Sequence, residues 1–553
     1  MTRGDLMMDS AGQTPDDNRN RRARSAAAAA VEGLVTGPSG TVTYTSRGRV
    51  MVIGGEEAQW LAARIAEPLH AEVLLTDGDL EPGVPTTPQA GRRLVLSGHL
   101  GAFVAELGEP GRHNHQRLAA DLVLDLGDKP LIAAEIPPPG YWHLGREPGD
   151  LDAGLLAVDG MVGTFEKPRF FAYDPGICAH ARSGRSGCSR CIEACPAEAI
   201  VSIGERIEVD PNLCQGGGIC ASVCPTGAIR YAYPPAIDTA ERVRRLLAAY
   251  LAAGGSAPRV LFVADADAAD LPSAPANVLP VAVEELASVG HEIWLAALAW
   301  GAHGVALVDG GSVPVRSLTA LRAQVETTAQ LLRGMGHADA AVRLIGADAI
   351  GEGWPSVDGP PPAATFAALA DKRQLAALAL DHLWRHSATH PISCELSAAA
   401  PYGCIEVDTA RCTLCMACTS VCPAKALGAG DEVPRLDLFE GNCVQCGICA
   451  NACPEQAITL RARYLYDPED RRRPRTLHED RPFCCVRCGK PFATHAVIDR
   501  ILGRLADHAM FQNERARQRL QMCEDCRVVD AVQDTEAMQA GLRFADEQKE
   551  NGG

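Results

Sequence analysis

Long hydrophobic runs are missing from this chain of 553 residues. No stretch of about 18 uncharged apolar residues occurs, which argues against a membrane-spanning helix. An excess of positive charge is missing too: 52 lysines and arginines stand against 69 aspartates and glutamates, a net charge of −17. That balance argues against a broad nucleic-acid or anionic-membrane surface and suits a basic or neutral partner. A G-x-G-x-x-G phosphate loop is absent. Gly54-Gly55 follows the strand-like run 50–53, but Glu56 and Glu57 open the next helix where a pyrophosphate would sit. Negative charge there opposes phosphate, so a structural turn is expected. No Ser/His/Asp constellation stands out. A convincing export signal is also lacking. Arg21-Arg22 before an alanine run has the outline of a twin-arginine leader, but the apolar part is weak and broken by Glu32. A disordered or fraying helical tail over residues 1–40 and a cytoplasmic location are expected.

What is present is an ordinary globular composition, 47% hydrophobic and 22% charged, with 22 cysteines. The length suits about three or four domains. In the cytoplasm, thiol clusters signal metal or redox chemistry rather than disulfides. Short apolar runs at 50–53, 73–75 and 94–96 mark an α/β domain over residues 41–165, ending in the proline-rich connector at 136–141. A Cys-rich block covers 166–240. A Cys-free α/β block covers 256–352, with strand-like runs at 260–263, 278–281, 305–308 and 342–345. A Pro/Gly linker at 354–362 and a linker helix within 366–396 follow. A second Cys-rich block spans 397–465, and a domain with Cys pairs spans 480–553. The fold class is therefore α+β multidomain: an N-terminal α/β domain, two similar Cys-rich modules flanking a Cys-free α/β (flavodoxin-like) domain, and a C-terminal helical metal domain. Two Cys-rich blocks around a spacer read as one module used twice.

The second block carries the most specific signal. Cys412-Thr-Leu-Cys415-Met-Ala-Cys418-Thr-Ser-Val-Cys422-Pro423 and Cys443-Val-Gln-Cys446-Gly-Ile-Cys449-Ala-Asn-Ala-Cys453-Pro454 are both complete C-x2-C-x2-C-x3-C-P runs. In such a run, three closely spaced thiolates wrap three corners of a [4Fe–4S] cube, and the fourth ligates the other cluster. The expected cages are Cys412, Cys415, Cys418 with Cys453, and Cys443, Cys446, Cys449 with Cys422. Zinc usually takes two short pairs instead. Residues 401–460 resemble the bacterial-type dicluster ferredoxin, whose strand entries match residues 423–427 and 454–458. Cys394 and Cys404 are expected to pack as small apolar residues.

The first block resembles the same ferredoxin module with one ligand lost on each side. Cys188-Ser-Arg-Cys191-Ile-Glu-Ala-Cys195-Pro196 has Arg185 where a cysteine is expected. Cys214-Gln-Gly-Gly-Gly-Ile-Cys220-Ala-Ser-Val-Cys224-Pro225 has Gly217. Cys178 can reach back across a flexible 183–187 stretch to complete a cage with Cys188, Cys191 and Cys224. Cys195, Cys214 and Cys220 then form a three-thiolate site. It suits a [3Fe–4S] cluster, an irregular cube with another fourth ligand, or no cluster at all. Further on, Cys485-Val-Arg-Cys488 and Cys523-Glu-Asp-Cys526 are two C-x2-C pairs around a helical stretch, with Cys484 left over. A structural zinc site is expected there, with a further iron–sulfur cluster as the rival.

Two wider resemblances follow from particular stretches. Residues 278–281, 299–305 and the helix 318–334 are similar to the D-type iron–sulfur subunit of methyl-viologen-reducing hydrogenase, joined in that family to heterodisulfide reductase. That family's middle domain carries ligating cysteines, which this chain lacks here, so a docking platform is implied. His291 and His303 are expected at the surface or as helix caps. Residues 162–168, 178–184, 485–492 and 523–527 resemble long iron–sulfur proteins associated with bacterial formate dehydrogenases. The implied role is a polyferredoxin passing single electrons between redox proteins, possible partners being a formate dehydrogenase or a hydrogenase-like system. The alternatives are an oxidoreductase subunit with its own flavin or substrate site, and a redox-sensing or assembly factor. No nucleic acid and no membrane are expected as partners.

Overall fold

The computed structural model describes residues 15–534 except 35–36, 90, 271, 273, 338–340, 352–360 and 431–432. Most of the linker expected at 354–362, and the ends of the expected tail and C-terminal domain, lie outside the described residues. The chain forms two compact units, Met1–Cys178 with Ser189–Pro391, and Ala179–Cys188 with Ile392–Gly553. It is a mixed α/β multidomain protein. Among the described residues, no helix is long and apolar enough to cross a membrane.

The first unit opens with a helix, Pro15–Val31, where a disordered or fraying helical tail was expected. Asn20, Ala23 and Ala27 recur at helical spacing and are buried. Small residues on that stripe allow close packing on the helix Ala236–Ala252. Asn20 Oδ1 also accepts from the Ser256 amide at 2.9 Å. The N-terminal α/β part is a parallel sheet in the order Thr86–Pro88, His70–Leu75, Arg49–Gly54, Leu122–Asp125, Tyr141–His143. Gly55 does mark a turn: a Cβ there would fall 2.1 Å from the Asp77 carboxylate. A separate antiparallel pair, Thr41–Ser46 with Gly163–Pro168, brings Tyr44 and Lys167 to the Cys-rich region.

The Cys-free part is a four-stranded parallel sheet in the order Val278–Val283, Arg259–Ala264, Gly304–Asp309, Val342–Gly346. Its helix His291–Ala299 is buried along its whole length. His291 is therefore not a surface residue. It opens that helix inside the protein, where burial pushes its pKa down to about 4. His303 is half-buried, and its pKa is likewise lowered, chiefly by burial.

The two Cys-rich modules share one plan. In the first, the outer pair Phe171–Tyr173 and Ile229–Tyr231 encloses the hairpin Ile200–Ile203/Arg206–Val209 and the short helices Arg190–Ala194 and Ile219–Val223. In the second, Gly403–Val407 pairs with Ile458–Leu465, and Leu427–Ala429 with Arg435–Leu438. The helices Ala417–Ser420 and Ile448–Ala452 take the corresponding places.

Candidate metal centres

The ligand loops of the second module are shaped by their backbone. Leu414 and Met416 have φ of 55° and 59°, and Gln445 and Gly447 have 54° and 81°. Left-handed residues two and four positions after the first cysteine wind each loop into a tight turn. Lys425 and Gln456, three positions after Cys422 and Cys453, share the left-handed conformation. There the amides of Ala426 and Ala457 donate to Cys422 Sγ and Cys453 Sγ at 3.2 and 3.3 Å. Gln445 Nε2 donates to Cys443 Sγ at 3.3 Å.

The thiols gather in two sets. Burial pushes Cys418 up to about 12, and Cys412, Cys415 and Cys453 add to the shift. Burial raises Cys449 as well, with contributions from Cys443, Cys446, Cys422 and then Cys418. Cys446 is raised to about 11, again chiefly by burial, with help from Cys422, Cys443 and Cys188. Cys422, Cys443, Cys446 and Cys449 line one cavity together with Ile405, Leu427 and Leu438. Thiols crowded out of water hold their protons until a cation replaces them, which is the donor set an iron–sulfur cluster needs. The sulfurs are also spread wide: among the described residues, no three of these ligand atoms lie within 4.8 Å of one another. Cys404 is buried in the module core, and Cys394 accepts from the Tyr466 hydroxyl at 3.1 Å.

In the first module, Cys191, Cys195 and Cys224 belong to one apolar core, with Cys178, Cys214 and Cys220 packed against it. Cys220 is raised well above its ordinary value by burial and by Cys214 and Cys195. Gly216, Gly218, Glu198 and Gly227 repeat the left-handed positions of the complete loops. The loop around Gly217 thus keeps the ligand-loop backbone without the second cysteine. The stretch 183–187 is not a loose tether. Ser183 and Gly184, both at positive φ, turn a two-residue hairpin between Ala181–Arg182 and Arg185–Ser186. Cys188 follows it and belongs with the second unit, where its carbonyl accepts from His180 Nδ1 at 3.0 Å.

A family profile described as "4Fe-4S dicluster domain" matches residues 411–458, and one described as "4Fe-4S binding domain" matches 207–230. The chain is also similar to a protein named "Uncharacterized ferredoxin" from Methanocaldococcus jannaschii. Identity is 39% over 44 residues, 8% of this chain and 71% of the relative. The chain belongs to the ferredoxin family. Its two 4Fe–4S domains make it an iron–sulfur electron-transfer protein, and clusters, when bound there, would supply one-electron redox chemistry.

This ferredoxin carries residues around its loops that sequence reasoning did not single out. Lys167 Nζ donates to the carbonyls of Asn212 and Cys214 at 2.9 and 2.6 Å. The Tyr44 hydroxyl donates to the same Asn212 carbonyl at 2.6 Å. Burial lowers Lys167 to about 8 despite the nearby Cys214 and Asp210. In the second unit, the buried Glu455, two residues after Cys453, is paired with Arg500 and lies 3.8 Å from Arg504. Thr494 Oγ1 donates to the Thr413 carbonyl at 2.9 Å. No motif flags these residues, because they act across long sequence separations.

The ferredoxin's C-terminal cysteines form a different kind of site. Cys485 and Cys488 lie in a knuckle, where Gly489 at φ 76° turns the chain and the Cys485 amide donates to the Lys490 carbonyl at 2.9 Å. Cys523 caps the helix Glu524–Val532, which carries Cys526 in its first turn. The ligand atoms of all four lie within 4.8 Å of one another, and Cys488 and Cys523 sulfurs are 3.7 Å apart. A tetrahedral ion with metal–sulfur bonds of about 2.3 Å places its ligands about 3.8 Å apart. The quartet therefore fits a single metal ion and is too tight for a cube. Burial raises Cys485, but amides of Cys523, Cys488 and Arg487 outweigh it and draw the thiol down to about 6. Exposed Cys484 is outside the quartet.

Proposed function

We propose that the chain is a polyferredoxin that relays single electrons between redox enzymes in the reducing cytoplasm. The ligands of the complete module are Cys412, Cys415, Cys418 and Cys453 for one cube, and Cys443, Cys446, Cys449 and Cys422 for the other. Cys178, Cys188, Cys191 and Cys224 hold a third cube, Cys195, Cys214 and Cys220 a three-thiolate cluster, and Cys485, Cys488, Cys523 and Cys526 a structural zinc. The observation that carries the relay is the half-buried Cys449, whose thiol feels both its own cage and Cys418 of the other. Two cages that close allow an electron to pass between them without leaving the module. The strand order of the Cys-free sheet supports a flavodoxin-like docking domain, similar to the hydrogenase D-type subunit. A formate dehydrogenase is the partner the sequence resemblance favours.

The test is anaerobic iron, sulfide and zinc analysis with EPR, followed by reduction kinetics with the partner enzyme. Cys412→Ala should remove one cube signal and slow electron flow through the module. Unchanged reduction rates in that variant would end the relay reading.

A further inference from the structure

Tyr231 ends the strand that leaves Cys224 and pairs with Phe171. Its ring stacks on Phe170, with centroids 6.3 Å apart and planes 17° from parallel. Phe170 in turn covers Gly216, where a Cβ would lie 2.9 Å from the ring. Gly216 bends the loop between Cys214 and Cys220. On its other bend, Gly218 lies against Ser288, where a Cβ would meet Ser288 Cβ at 2.5 Å. The phenol is thus held beside a loop that is closed in by aromatic and backbone groups.

Tyr231 is only 5% exposed, and its hydroxyl has no hydrogen-bond partner among the described residues. Leaving a buried hydroxyl unpaired destabilises the fold. Phenylalanine would give the same ring packing without that cost. The hydroxyl therefore calls for an acceptor that the polypeptide does not provide. Burial raises its pKa, and the charges that add to the shift are Glu285, Glu284, Cys214 and Cys220. The proton stays on the oxygen, so the group is a donor.

We propose that the Tyr231 hydroxyl donates a hydrogen bond to the iron–sulfur group held by Cys195, Cys214 and Cys220, and so sets its reduction potential. The inference rests on the three-thiolate reading of that site. Tyr231 is a positioning residue. A donor to a cluster sulfur stabilises the more negative, reduced form and raises the potential.

The test is an EPR-monitored redox titration of the full-length protein, prepared without air, with dithionite as the one-electron source. In Tyr231→Phe, the midpoint of the three-thiolate signal should move to a more negative potential, while the signals of the complete module stay in place. Thermal unfolding of the cluster-loaded variant should be unchanged or slightly earlier, because one hydrogen bond to the cluster has been removed. An unaltered midpoint overturns the hydrogen bond alone. Absence of the three-thiolate signal from the wild-type protein overturns both this inference and the reading beneath it.

Discussion

The sulfurs of Cys488 and Cys523 stand 3.7 Å apart although 35 positions separate them in the chain. A knuckle turn and the first turn of a helix bring them to the spacing of ligands on one tetrahedral ion. One zinc per chain is expected by elemental analysis. Cys488→Ser should lose that zinc while the iron content stays the same. A chelator strong enough to strip zinc should also unfold the C-terminal hairpin, seen as lost amide-exchange protection over residues 482–494.

The same domain is tied to the two loops that hold Cys412 and Cys453. Arg500 pairs with the buried Glu455, and Thr494 reaches the Thr413 carbonyl. Glu455→Gln leaves the arginines without their counter-charge. It should destabilise the second unit by about 1–3 kcal/mol, read as a lower thermal midpoint. Faster bleaching of the cluster absorbance in air should accompany it.

Gly217 stands where a complete loop has its second cysteine. A Cβ there would meet nothing nearer than Pro196 Cγ at 3.7 Å, an ordinary contact. Gly217→Cys should therefore be tolerated and supply the missing thiolate. Iron per chain should rise by about one, and the EPR signature of the site should change to that of a four-thiolate cube. An unchanged spectrum would mean that the site does not bind a cluster through this loop.

Burial, with Glu284 and Asp267 nearby, raises the Glu285 carboxyl from 4.5 to about 7. The folded protein keeps a proton that the unfolded chain releases above 4.5. Stability is then greatest below that value and falls as pH rises through the window to about 7. Thermal midpoints measured across the window should show this decline. Glu285→Gln should flatten it.

How much of this was legible in the sequence depends on distance along the chain. The two complete C-x2-C-x2-C-x3-C-P runs announced a dicluster module because every ligand in a loop lies within a dozen residues. Local spacing constrains local geometry. The strands at 50–53, 260–263 and 305–308 were legible for a similar reason, since short β-branched and aliphatic runs suit buried parallel strands. The packing of the N-terminal helix was not legible because Asn20, Ala23 and Ala27 form a weak pattern that gains meaning only against the helix Ala236–Ala252. His291 was misplaced because burial is a property of the surrounding sheet and helices, not of the residue. The 183–187 stretch looked loose, yet Ser183-Gly184 has the positive φ angles of a tight hairpin.

By itself, the sequence determined where the dicluster module and its ligand loops lie, because each loop is built from neighbours. Only the tertiary structure decided what surrounds the cages: Lys167 on the Cys214 carbonyl, Glu455 under Arg500, and the unpaired hydroxyl of Tyr231. It also brought Cys485, Cys488, Cys523 and Cys526 to the spacing of ligands on one ion, since sulfur spacing depends on how distant segments meet. Contacts between residues far apart in the chain leave no periodic trace in its text, and they appear only once the chain has packed.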